Sequence, residues 1–488
     1  MKKIRKFTLL VTILGLLGMV WGCSKKSPIN KGGDDGGTTV TPPPVVVPPV
    51  KTDVSMWLTK ADGSALLSKQ NVALLFGGSS NQNTTINVDT TTTYQTIDGF
   101  GFCLSGGSAT LINSLDDTKK SALLKELFST DSTSIGISYI RITIGASDMS
   151  SGTFSYDDVS GDTDLNNFSL AREETDLIPI LKKIIAINPN IKILACPWSA
   201  PAWMKTSNSF TGGNLKPENY GPYANYFVKY IKGMKTEGIT IDAVTPQNEP
   251  LNPSNTPAMV MQPEDENTFI KENLGPAFKA AGITTKIIIY DHNADRPDYP
   301  LQILADNVTN KFVDGSAFHL YGGSINNLTP VHDAYPNKNI YFTEQATFKG
   351  DDYGAAMTWH VSNLIIGATR NWSRNVLEWV LATDPNYGPH TNGGCGTCLG
   401  AVTISSVVTR NVAYYVIAHA SKFVRPGAIR IDSQQQNTLL NVAFKNTDGS
   451  KVLIVLNTAT NSQTFNIGFN SKVVTTTLPA GAVATYTW

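Results

Sequence analysis

Charge of either sign is scarce in this chain. Lys, Arg, Asp and Glu make up 16% of its residues, and 39 basic side chains balance 39 acidic ones. With no net charge, no long-range field gathers a polyanion, and nucleic acid is not expected as a partner. Cysteine is sparse too, at five residues. Cys395-Gly-Thr-Cys398 lacks the second cysteine pair or the histidines that a zinc site uses, so it is compatible with a short-loop disulfide or with free thiols, and no metal is expected. A Gly-x-Ser-x-Gly elbow is missing, which argues against a serine hydrolase. No cofactor is expected. Asn, Thr, Ser and Gly are plentiful instead, a surface suited to neutral polar substrates.

The N-terminus addresses the chain. Lys2, Lys3, Arg5 and Lys6 form a positive segment, followed by an apolar run from Phe7 to Gly22 and then Cys23. This reads as a secretory signal over residues 1–22. The run is shorter than the roughly 20 residues that span a bilayer, so a retained transmembrane helix is the weaker reading. Small Gly22 before Cys23, with Val20 two further back, is similar to the lipobox of bacterial lipoproteins, with Trp21 bulky for its place. Cys23 is then expected to carry lipid, and the protein to be exported to an outer-membrane or cell-surface position. Residues 23–50, rich in Gly, Pro, Thr and Asp, read as a disordered tether, so membrane contact is expected only through the anchor.

From residue 51 onward, eight apolar strand candidates alternate with helical periodicity. They are Thr96 to Phe100, Tyr139 to Ile144, Ile191 to Cys196, Ile241 to Thr245, Lys286 to Tyr290, Gly315 to Leu320, Asn339 to Thr343 and Val376 to Leu381. Between them apolar residues recur three and four apart, as in Ile178, Leu181, Ile184 and Ile185, or in Tyr223, Tyr226, Phe227, Tyr230 and Ile231. Strand and helix in regular turn predict an α/β fold with a parallel sheet, and eight repeats close a (β/α)8 TIM barrel, placed at residues 96–423. A helix is expected over Val407 to Phe423. Beyond it, Leu439 to Lys445, Lys451 to Asn457, Gln463 to Phe469 and Val483 to Trp488 predict a small all-β sandwich over residues 424–488. These strands are too few for a sandwich, so Asp53 to Leu58 or Thr84 to Val88, from the N-terminal segment 51–95, is expected to join them.

Two glutamates stand at strand ends. Glu249 follows the fourth candidate in Ala-Val-Thr-Pro-Gln-Asn-Glu-Pro, and Glu344 follows the seventh in Ile-Tyr-Phe-Thr-Glu-Gln. Active sites of these barrels are built where the strands end. A carboxylate pair at that mouth can hydrolyse a glycoside with retention, one attacking the anomeric carbon while the other protonates the leaving oxygen. Glu249 fits the acid/base and Glu344 the nucleophile. Asn248 is placed to bond a sugar hydroxyl, and Trp198, Trp203 and Trp379 lie at strand ends or in following loops, where rings can stack on sugars.

Six runs then appear in order: Thr96-Ile-Asp-Gly-Phe-Gly101, Ile140-Arg-Ile142, Pro197-Trp-Ser-Ala-Pro-Ala-Trp-Met-Lys205, Val244-Thr-Pro-Gln-Asn-Glu-Pro250, Phe318-His-Leu-Tyr321 and Phe342-Thr-Glu344. On these the chain resembles glycoside hydrolase family 30, including its glucosylceramidase branch, from about residue 52 to the C-terminus. The resemblance implies a (β/α)8 barrel with a β-sandwich built from both chain ends, and retaining chemistry at Glu249 and Glu344. It also implies that Arg141, Asp148, Trp198, Asn248, Tyr321 and Trp379 line the sugar subsite, with Arg141 positioning the nucleophile and Asp148 accepting sugar hydroxyls.

The expected partner is a β-linked glycan. A tethered exterior enzyme meets polysaccharide rather than sphingolipid, which ranks a β-1,6-glucanase-like activity ahead of glucosylceramide. Xylan-active members read a glucuronic acid branch through basic residues, and no basic cluster is evident here. Loop Asp384 to Gly400, with His390 and the Cys395–Cys398 pair, is expected to shape the leaving-group side. A glycan-binding lipoprotein without catalysis is the non-enzyme alternative, and the retained Glu249, Glu344 and Asn248 argue against it.

Overall fold

Parallel strands buried on both faces have to be apolar along nearly their whole length, and that is what the eight sequence runs supply. In the computed structural model, which describes residues 49–78 and 81–488, they form one closed barrel of parallel strands. The strands are Gly99–Leu104, Tyr139–Thr143, Lys192–Cys196, Ala243–Val244, Lys286–Ala294, Val313–Gly323, Asn339–Glu344 and Ser373–Glu378, and the eighth pairs back onto the first. The signal, the tether and lipidation at Cys23 fall on residues outside the described ones, the tether's last two residues excepted.

Helices cover the barrel with the faces that the spacing predicts. Leu177–Ile187 buries Ile178, Leu181 and Ile184, whereas Ile185 is only partly covered. Tyr220–Thr236 buries Tyr223, Tyr226, Phe227, Tyr230 and Ile231. The helix expected over Val407 to Phe423 is shorter, Val412–Ser421. Its first expected residues form the strand Val408–Arg410 instead, paired with Val402–Ile404, as suits a β-branched run.

The all-β part is a nine-stranded sheet built from both chain ends. Its order is Ser68–Gln70, Ser55–Thr59, Val483–Thr487, Lys451–Asn457, Leu439–Lys445, Ile429–Ser433, Thr85–Thr96, Gln463–Phe469, Lys472–Leu478. Both N-terminal candidates take part rather than one, and Ile429–Ser433 and Lys472–Leu478 join without having been expected. Thr85–Thr96 is the hinge of the sandwich: its start pairs in parallel with Gln463–Phe469 and the rest pairs antiparallel with Ile429–Ser433. Because this strand keeps Thr96, the first barrel strand begins at Gly99 and not at Thr96.

One strand welds the two parts. Side chains alternate along Lys451–Asn457, so Leu453 and Val455 enter the sandwich core while Val452, Ile454 and Leu456 belong to the barrel's core cluster. Arg370 reinforces the seam, donating to the backbone oxygens of Asn441 (2.6 Å) and Ser433 (2.8 Å). His419, fully buried, ties barrel to sheet. The Thr485 hydroxyl donates to the His419 carbonyl (2.9 Å), so it must accept from Nδ1–H (2.9 Å). Thr59, which accepts from Leu67 N–H, lies 2.8 Å from Nε2; the network places a proton on Nδ1, and burial keeps the ring neutral so that Nε2 accepts from Thr59.

Burial pushes the His419 pKa down to about 3. The unfolded chain binds that proton near pH 6.5, so unfolding takes up a proton below this value and stability falls as pH drops from about 6.5 towards about 3. Urea unfolding at pH 7, 5.5 and 4.5 should show a steeper acid loss for the wild type than for His419→Gln; parallel curves would contradict the assignment.

Candidate active site

A guanidinium buried in a barrel needs counter-charges, and the site is organised around one. Arg141, the third residue of the second barrel strand, has no exposed surface. Its Nη1 donates to Glu344 Oε2 (2.5 Å), and its Nη2 donates to Asn248 Oδ1 (2.6 Å) and Asp291 Oδ2 (2.8 Å). Its charge also lies over the Trp198 ring, 4.6 Å from the centroid.

Asp291 comes from a kink in the fifth strand. Tyr290 and Asp291 both have left-handed backbone angles (φ 77° and 56°), and the register against the sixth strand shifts there. Such a bulge re-aims a side chain, here into the barrel mouth. Besides Arg141, Asp291 Oδ2 accepts from Thr245 Oγ1 (2.8 Å) and Cys196 Sγ (3.1 Å), while Oδ1 accepts from Thr343 Oγ1 (2.6 Å) and faces His319 Nε2 (3.2 Å). Burial opposes its charge, yet Arg141 and these donors hold it well below the usual carboxylate range.

His319, on the sixth strand, bridges Asp291 to Glu249, with Nδ1 3.2 Å from Glu249 Oε1 and 3.9 Å from Glu344 Oε1. Burial disfavours its charge, but Glu344, Asp291 and Glu249 together raise it to about 9. Glu249 follows the fourth strand at φ 46°, a strained conformation for a residue with a side chain. Its Oε2 accepts from Asn252 Nδ2 (2.8 Å), and its own N–H donates to the Asp291 carbonyl (3.0 Å). Burial would raise this carboxyl, but His319 wins and holds it at about 2. Glu344 ends the seventh strand and accepts from Tyr321 Oη (3.1 Å) on its other oxygen. Burial pushes it upward against His319 and Arg141.

These groups open into a cavity of about 570 Å³. Of the residues expected at the sugar site, Asp148, Glu249, Tyr321, Glu344 and Trp379 line it. Arg141, Trp198 and Asn248 stand behind these, Trp198 packed on Trp379 at 5.2 Å between ring centroids. Trp203 lies away from the cavity, bonded through its ring N–H to the Asp157 carbonyl (3.0 Å). Asp148, buried and facing Glu344 and Glu249, rises to about 7. Cys395 and Cys398 are joined in a disulfide whose loop forms one wall, and the Cys395 N–H donates to Asp148 Oδ2 (3.3 Å). Cys103 and Cys196 are buried free thiols. Glu249, His319 and Glu344 bring three ligand-type atoms within 4.8 Å of one another, and the charge a cation could supply there is supplied by Arg141.

Asp291 and His319 are the functional residues that sequence reasoning passed over. Each had a signal. Asp291 stands one residue past an expected strand end, where Glu249 and Glu344 were sought, and His319 lies inside the run from which only Tyr321 was taken.

The glycosyl hydrolase family 30 TIM-barrel domain model matches residues 97–424, and the family 30 beta sandwich domain model matches residues 427–486. An endo-1,6-beta-D-glucanase of Neurospora crassa is 35% identical over 427 residues, covering 82% of this chain and 88% of the relative. A putative glucosylceramidase of Caenorhabditis elegans is 33% identical over 398 residues, 76% of this chain and 75% of the relative. A solved endo-beta1,6-glucanase structure superposes with a TM-score of 0.84 at 37% identity, covering 90% of this chain and 99% of that one. The chain belongs to glycosyl hydrolase family 30, and it is a glycoside hydrolase.

Proposed function

We propose that the protein is a retaining β-glucosidic hydrolase in which Glu344 is the nucleophile and Glu249 the acid/base. The observation that carries this is the spacing: carboxylate oxygens of the two glutamates lie within 4.8 Å, in keeping with the close pair of double displacement and short of the wider gap of an inverting pair. Glu344, aligned by Arg141 and Tyr321, attacks the anomeric carbon as the bond to the leaving oxygen breaks, and the proton reaches that oxygen through Glu249. Water then attacks the same carbon, gives its proton to Glu249 and releases Glu344.

The proton has a definite store. With His319 near 9 and Glu249 near 2, the pair holds one proton in the open cavity, on the imidazole side of the 3.2 Å contact. The two act as one acid with a shared macroscopic pKa. Attack turns Glu344 into a neutral ester, which removes the largest support for the charge on His319. The proton is thereby released during the step that consumes it.

For the substrate we infer a β-1,6-glucan. Support comes from the glucanase relatives, from a wide cavity and from a neutral surface. The N-terminal pattern supports export and a lipid anchor at Cys23. Product analysis on β-1,3-, β-1,4- and β-1,6-glucans, xylan and glucosylceramide tests the specificity; cleavage of glucosylceramide with β-1,6-glucan intact would overturn it.

Four outcomes follow for variants. Glu249→Ala and Glu344→Ala should each lose about a hundredfold or more in rate. Azide should then give a β-glycosyl azide with Glu249→Ala and an α-glycosyl azide with Glu344→Ala, and NMR of the products showing the reverse would exchange the two roles. His319→Gln removes the proton store, so the alkaline limb of kcat should move to lower pH; an unmoved limb would contradict the shared acid. Asp291→Asn should lower kcat by about a hundredfold, because Arg141 and His319 lose their common anchor while both glutamates remain.

A further inference from the structure

Beside the catalytic cavity lies a second concavity of about 330 Å³, a size that holds small ligands. Phe348 lines both, so the two are neighbours across one aromatic ring. The second is walled by Gln345, next in sequence to Glu344, and by the helix Tyr353–His360. Trp359 projects from that helix with 39% of its surface exposed, so its ring face is open to a ligand.

The deeper polar groups near this concavity are closed off from solvent. Gln345 is 6% exposed and His360 4%, yet Gln345 Oε1 and His360 Nδ1 have no hydrogen-bond partner. His360 Nδ1 faces Glu378 Oε1 at 3.2 Å without hydrogen-bond alignment, and both oxygens of fully buried Glu378 are unpartnered as well. Those atoms expose no surface, so the contacts open to a ligand are the Trp359 ring and the exposed carboxylates at the mouth. The mouth carries Asp351 and Asp352, and no Lys or Arg lines it. An anionic ligand is disfavoured there, and a neutral one with many hydroxyls fits.

We propose that this concavity is a second sugar subsite, which takes a glucosyl unit of the same chain that occupies the catalytic cavity, with Trp359 as its stacking platform. Continuity through Phe348 selects this occupant over a separate ligand. The proposal rests on the glucan reading above. It gives an enzyme acting within a long chain a hold on the polymer away from the bond being cut.

Kinetics on the full-length protein test it, with an aryl β-glucoside beside the soluble β-glucan that the wild type cleaves. For Trp359→Ala the KM for glucan should rise about fivefold to tenfold, the loss of one aromatic contact, with kcat for glucan and kcat/KM for the aryl glucoside unchanged. Trp359→Phe, which keeps a stacking ring, should recover most of the loss. An unchanged glucan KM in Trp359→Ala overturns the subsite and leaves the substrate reading standing. An equal rise on both substrates overturns it too, because the disturbance then reaches the catalytic cavity. A wild type that cleaves aryl β-glucosides but no β-glucan overturns the substrate reading, and the subsite with it.

Discussion

The buried charge of Arg141 is the constraint on which the site depends. A guanidinium without solvent has to be matched by carboxylates, and Asp291 and Glu344 supply them from the fifth and seventh strands. That requirement explains why the fifth strand kinks at Tyr290 and Asp291, and why Thr245 and Thr343 turn their hydroxyls onto the same carboxylate. Strain at Glu249 belongs to the same arrangement, since its backbone N–H is bonded to the Asp291 carbonyl. Barrel closure provides the rigidity, and the sandwich, sharing Lys451–Asn457 with the barrel core, stiffens the side where the chain enters the first strand.

Two carboxylates of one kind can divide the work only if their surroundings differ. Glu344 is fixed by a permanent cation and a phenol, and Glu249 by an imidazole that can give up its charge. The difference lies in what each partner can do with a proton. Arg141 cannot release one in this range, whereas His319 can, so the proposed mechanism takes its proton along the His319–Glu249 side.

Much of this was legible in the sequence because parallel-barrel strands are buried on both faces and announce themselves as apolar runs. The same signal placed Glu249 and Glu344, since a carboxylate ending such a run is conspicuous. It failed where the apolar run stops before the strand does: the fifth was expected to end at Tyr290, yet it continues through Asp291 to Ala294 past the kink. His319 was hidden for a related reason, as a polar residue within a buried strand whose partners come from three other strand ends. Boundaries went astray where β-branched residues serve two masters, as in Thr85–Thr96, which belongs to the sandwich up to the residue where the barrel was expected to begin. The second concavity left no trace in the sequence, because its walls, the residues after Glu344 and one helix, form an opening only in three dimensions.

The central claim is that Glu344 bonds covalently to the sugar while Glu249 moves the proton. Incubation with an activated 2-deoxy-2-fluoro-β-glucoside, followed by intact-mass measurement and peptide mapping, reads this directly. The account predicts one fluoroglucosyl unit per chain, on the peptide and at the side chain of Glu344. A unit on Glu249, or turnover with inversion and no trapped ester, would contradict it.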